Sequence, residues 1–100
     1  MLNIGKNIEN GEAVFTLGGR LDTVTAPELE TALTECIGNL KELTLDFGEL
    51  EYISSAGLRV LLAAQKLMNG KEGVMKIVDV NESIMDIFEV TGFSEILTIE

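Results

Sequence analysis

Alternation and helical spacing divide this chain into short segments. Leu2 to Ile8 is a weak alternating stretch. Ala13 to Leu17 is clearer, with Ala13, Phe15 and Leu17 on one side and Val14 and Thr16 on the other. Asn10-Gly11 lies between them and fits the tight turn of a hairpin. Gly18-Gly19 is expected to end the second stretch. Thr25-Ala26-Pro27-Glu28 then has the form of a capping box, in which the Thr25 hydroxyl accepts the Glu28 N–H and Glu28 reaches back to Thr25. Pro27 is tolerated in that first turn, where a missing N–H costs nothing. Ala26, Leu29, Leu33, Ile37 and Leu40 recur at spacings of three and four, which predicts a helix with Gly38 as its stop.

Leu43, Leu45 and Phe47 alternate with Thr44 and Asp46 and predict a third strand. A second helix is expected from near Ser55 to about Asn69. Leu58, Leu61, Leu62 and Met68 mark one face, Val60, Ala63, Ala64 and Leu67 widen it, and Gly70 ends it. Val74 to Val80 reads as a fourth strand. Asn81 is a good N-cap for a helix carrying Ile84, Ile87 and Phe88, with Gly92 as its stop. Ile96, Leu97 and Ile99 suggest a closing strand. The order β-β-α-β-α-β-α-β places the chain in the α/β class. It predicts a small mixed β-sheet packed with helices, whose later strands run parallel after an opening hairpin.

Composition narrows the function classes. The 100 residues are the length of one domain, so residues 1–100 are expected to form a single unit, and 46% hydrophobic residues suffice for a core. No apolar run approaches the roughly 18 residues of a membrane span. No secretory pattern opens the chain, and the lone Cys36 has no internal disulfide partner, so a cytoplasmic setting is expected. The net charge of −10 argues against nucleic acid and anionic membranes as partners. An acidic chain with a full complement of small-fold elements is expected to be a monomer.

Histidine is absent, which excludes Ser-His-Asp and Cys-His catalysis and zinc sites built on His or paired Cys. Ile53-Ser54-Ser55-Ala56-Gly57 lacks the first glycine and the base of a nucleophile elbow. No spacing singles out a catalytic carboxylate pair. The expectation is a protein that is not an enzyme and uses neither metal nor cofactor. What remains is the junction where a buried strand turns into a helix at Ser54-Ser55. The first N–H groups of a helix are unpaired and its dipole favours negative charge, so a serine there is well placed to carry a phosphate. A serine at that place also serves as an ordinary N-cap.

Gly19-Arg20-Leu21-Asp22, Thr25-Ala26, Leu45-Asp46-Phe47 and Tyr52-Ile53-Ser54-Ser55-Ala56-Gly57-Leu58 together resemble the STAS domain family, and most of all the stand-alone bacterial anti-sigma factor antagonists. Ile84 to Phe93 is similar to the family's last conserved helix and its glycine stop. The resemblance implies a partner-switching regulator. Unphosphorylated, such a protein binds an anti-sigma factor that is also a serine kinase. Phosphorylation of one serine breaks the complex, and a serine phosphatase restores it.

The family motif is commonly Asp-Ser-(Ser/Thr)-Gly. Aligning its glycine on Gly57 puts the phosphoacceptor at Ser55, with Ser54 where the family has Asp and Ala56 at the second hydroxyl position. Ser54 is therefore the alternative acceptor. The resemblance also implies a partner-binding surface at Asp22, Thr23, Thr25, Ser54, Ala56, Gly57 and Arg59. Asp22 either orients the acceptor or contacts the kinase, or else it hydrogen-bonds the N–H groups of its own turn. Arg59 faces the partner, reaches Glu49 or Glu51, or is simply a solvated surface arginine. The alternative function is a STAS scaffold or ligand-sensing module that works without phosphorylation.

Overall fold

The computed structural model describes all residues from Met1 to Glu100. The chain opens with β1 (Leu2–Glu9) and β2 (Glu12–Leu21), then α1 (Ala26–Thr34) and a 3-10 turn at Ile37–Asn39. β3 (Glu42–Ile53), α2 (Ser55–Gly70), β4 (Val74–Val78) and α3 (Glu82–Thr91) follow. The sheet order is β1-β2-β3-β4. β1 runs antiparallel to β2, while β2, β3 and β4 are parallel neighbours. Asn10 and Gly11 both have positive φ, the geometry of the two-residue hairpin turn their sequence specifies.

The core lies on one face of the sheet. Ala13, Phe15 and Leu17 are buried beside Leu43, Leu45 and Phe47, and Met75 and Ile77 extend the layer. α1 contributes Leu29 and Leu33, α2 Leu58, Leu61 and Met68, and α3 Ile84 and Phe88. The Phe88 ring stands 6.2 Å from that of Phe47. On the opposite face Val14 and Thr16 are exposed.

Five expectations change. The second strand does not stop at Gly18-Gly19. It runs on to Leu21, because β3 bulges beside it. From the pair Glu12–Glu42 to the pair Leu21–Ile53, β2 advances nine residues and β3 eleven, so β3 carries two extra residues. Gly19 sits at φ +89, where a Cβ would strike the Met1 carbonyl oxygen. β3 is correspondingly longer than the expected Leu43–Phe47.

The first helix stops at Thr34 instead of reaching Gly38. Ile37 and Leu40 are still buried, because a 3-10 turn also brings residues three apart onto one side. Lys71 Nζ donates to the Ile37 and Gly38 carbonyls at 2.8 and 2.7 Å and satisfies that turn.

The capping box at Thr25 does not form. Thr25 is helical in backbone and its hydroxyl caps nothing. Instead that hydroxyl accepts Asp22 N–H at 2.9 Å and donates to the Arg20 carbonyl at 2.8 Å. The closing strand reduces to a single parallel bridge, Ile77 to Ile99, after a short 3-10 turn at Phe93–Glu95.

Candidate functional site

Two chain segments meet at the junction of β3 and α2. Leu21 and Ile53 end the β2–β3 ladder as partners. Ser54 N–H then donates to the Leu21 carbonyl at 2.9 Å, which ties the helix start to the loop after β2. Gly57 makes the approach close. A Cβ there would lie 2.7 Å from Leu21 Cγ and 2.9 Å from Ile53 Cγ1, so a glycine lets α2 sit down on the strand ends.

The two serines have separate positions. Ser54 is half-buried with extended backbone, φ −99° and ψ 175°, as an N-cap requires. Its hydroxyl accepts the Gly57 N–H at 3.4 Å. Ser55 is the first helical residue and is exposed, and its hydroxyl has no protein partner. Ala56 is half-buried and Gly57 buried, so Ser55 is the most accessible group of the motif.

The loop after β2 is organised by Asp22. Its Oδ1 accepts the N–H groups of Val24 at 3.0 Å and Thr25 at 3.1 Å. These bonds, the Thr25 one foremost, hold the Asp22 carboxyl below the usual aspartate range. Asp22 Oδ2 lies 3.7 Å from Arg20 Nε. Asp22 thus builds its own turn, through Val24 and Thr25. Thr25 is buried and its hydroxyl serves the same turn, whereas Thr23 is exposed on the loop surface.

Arg59 is exposed one turn along α2 from Ser55 and makes no ion pair, with Glu49 and Glu51 or otherwise. The structure therefore brings Asp22, Thr23 and Thr25 to the same corner as Ser54, Ser55, Ala56 and Gly57, whereas Arg59 lies a turn further along α2. The sequence reading missed Arg20 and Tyr52 at this corner. They are cross-strand partners, and the Arg20 guanidinium carbon lies 4.3 Å from the centre of the Tyr52 ring. Nothing local in either segment signals a contact between residues 32 positions apart.

No group of His, Cys, Asp and Glu side chains has the arrangement of a metal site. A groove of about 360 Å³ between α1 and α2, lined by Leu33, Val60 and Leu67 among others, lies away from the serines. No helix is long and apolar enough to cross a membrane.

The chain is thus a small mixed sheet with helices packed on its core face, with a serine-bearing strand-to-helix junction beside an Asp turn. A model of the STAS domain matches residues 3–100, and the chain belongs to that family. Over 91 residues it is 31% identical to BtrV of Bordetella bronchiseptica, named as a candidate anti-sigma factor antagonist, covering 90% of this chain and 78% of that protein. It is 28% identical over 97 residues to the anti-sigma-B factor antagonist of Staphylococcus aureus, covering 96% of this chain and 90% of that one. The anti-sigma factor antagonist SpoIIAA has been solved unphosphorylated and, from Bacillus, phosphorylated. The two superpose with TM-scores of 0.79 and 0.78 at 15% identity, over 98% of this chain and 87% and 91% of theirs.

Proposed function

We propose that this chain is an anti-sigma factor antagonist that works by partner switching, with residues 1–100 acting as one STAS domain. Unphosphorylated, it binds an anti-sigma factor that is also a serine kinase, and a sigma factor is freed. The kinase phosphorylates Ser55 and the complex separates. A serine phosphatase removes the phosphate and resets the cycle. The names carried by the relatives support the antagonist role.

The observation that carries the phosphorylation step is the division between the two serines. Ser54 is half-buried and spends its hydroxyl on the helix cap, while Ser55 is exposed with a free hydroxyl. A kinase must reach and deprotonate the acceptor oxygen, and Ser55 offers it without dismantling the cap. A phosphoserine there carries about −1.5 to −2 charges. It meets the unpaired N–H groups and the positive end of the α2 dipole, so the domain itself tolerates it. The partner does not, because an unpaired charge trapped in a desolvated contact costs several kcal/mol. No conformational change in this chain is required.

The test is phosphosite mapping by mass spectrometry after incubation with ATP and an extract of the source bacterium, with Ser55→Ala alongside. Phosphate on Ser55 that vanishes in the variant is the expected result. Phosphate on Ser54 keeps the switch but moves its site. No phosphate from an extract with active kinase favours the second reading, a STAS scaffold that binds without modification. The departures from the motif at Ser54 and Ala56 are what favour it.

A further inference from the structure

The corner beside Ser55 carries a feature that neither the family match nor the names of the relatives assigns. The chain has a net charge of −10 and only two arginines, Arg20 near the end of β2 before the Asp22 turn and Arg59 in the second turn of α2. Two of the five lysines are engaged elsewhere: Lys76 pairs with Glu42, and Lys71 is bound to the Ile37 and Gly38 carbonyls.

Arg20 is held in place. It stacks on Tyr52, and its Nε faces Asp22 Oδ2 at 3.7 Å. The Asp22 Oδ1 oxygen is occupied by its own turn, so the terminal guanidinium nitrogens have no hydrogen-bond partner. Over half of the Arg20 side chain is exposed (54%). Glu28 and Glu51 are exposed in the same two segments, but neither pairs with Arg20. In the turn whose Asp22 faces Arg20, Val24 is 81% exposed, an apolar side chain open to solvent.

A stacked guanidinium loses little freedom when it binds, and its fork matches a carboxylate. Tyr and Arg beside an apolar contact are the residue types that anchor protein interfaces. We propose that Arg20, braced by Tyr52, anchors a docking surface for a carboxylate-bearing face of the anti-sigma factor, with Val24 as its apolar contact. This rests on the antagonist reading and adds the chemistry of the partner. It also gives the phosphate a direct effect: phosphoserine at 55 repels the partner's carboxylates.

The test is calorimetric titration of the unphosphorylated protein with the anti-sigma factor kinase that modifies it. Arg20→Glu is expected to weaken binding by about tenfold or more, Arg20→Lys by much less, and Tyr52→Leu by a few-fold. Lys66→Glu, exposed further along α2, is expected to leave affinity unchanged. Parent affinity is expected to fall between about 50 mM and about 300 mM salt, and that of Arg20→Glu to fall less steeply. Melting temperatures of all variants are read in parallel, and a loss of affinity that only tracks a loss of stability overturns the proposal. Equal or tighter binding by Arg20→Glu overturns the docking surface and leaves the antagonist role standing. A parent protein that does not bind the kinase at all overturns both.

Discussion

Ser54→Ala and Ser55→Ala are the same chemical change at adjacent positions, yet they should differ in stability. Ser54 supplies the cap of α2, and Gly57 N–H has no other partner at the buried helix start. Losing an N-cap serine costs about 0.5–2 kcal/mol. At 3.4 Å the bond is long, which argues for the lower half of that range. Leaving the Gly57 N–H unpaired in a buried place pushes the other way. About 1 kcal/mol is the balanced figure.

The Ser55 hydroxyl makes no hydrogen bond and the residue is exposed, so its replacement should stay within about ±0.5 kcal/mol. At about 2.1 cal/mol/K per residue, a 100-residue chain loses about 5 °C of Tm for each kcal/mol. Scanning calorimetry should therefore place Ser54→Ala about 5 °C below the parent and Ser55→Ala beside it. Ser54→Asp is the rescue, because Asp caps as well as Ser and its charge suits the helix N-terminus. It should match or exceed the parent. Equal losses for the two alanine variants, or a larger loss for Ser55→Ala, would refute the division of roles.

Gly57→Ala should destabilise by about 1–2 kcal/mol in urea unfolding. The new methyl meets Leu21 and Ile53 at under 3 Å, and overpacking of about 1–3 kcal/mol outweighs the helix-propensity gain of up to about 1 kcal/mol. Asp22→Ala should be less stable than the parent at neutral pH. Because the folded Asp22 carboxyl titrates below its ordinary 3.8, the parent's advantage is full above that pH and shrinks as pH falls through the lower folded value. Denaturation midpoints measured along a pH series check this, and a gap that widens on acidification would contradict it. If Asp22 serves only its turn, phosphorylation of Asp22→Ala falls in step with its melting temperature. If it orients Ser55 or contacts the kinase, phosphorylation falls alone.

Much of the fold is legible in residue patterns wherever one local signal decides the outcome. Asn10-Gly11 admits few structures other than a tight hairpin turn. Asn81 caps α3 through the Ile84 N–H at 2.9 Å, and Gly92 ends that helix at φ +82, both as their residue types require. The misreadings occur where a local signal is outbid by a distant partner. Thr25 has the pattern of a capping box, but Asp22 and Arg20 take its hydroxyl first. Gly18-Gly19 looks like a strand end, but pairing with a bulged β3 carries the strand through. Ile96 to Ile99 has strand composition, but the chain reaches β4 only at Ile99.

The candidate site divides in the same way. That a serine starts α2 is legible, but which serine caps depends on the extended backbone of Ser54. The Arg20–Tyr52 stack depends on strand register, which two bulges set and no motif announces.

In the proposed switch, a phosphate at Ser55 blocks the partner while leaving the domain intact. The direct measurement compares the enzymatically phosphorylated protein with the parent, reading affinity for the anti-sigma factor and the amide NMR spectrum together. The predicted result is a loss of affinity of about a hundredfold or more, since each 1.4 kcal/mol is about tenfold. Spectral changes should be confined to residues near the start of α2 and the Asp22 loop. Unchanged affinity, or a loss accompanied by changes throughout the sheet, would contradict it.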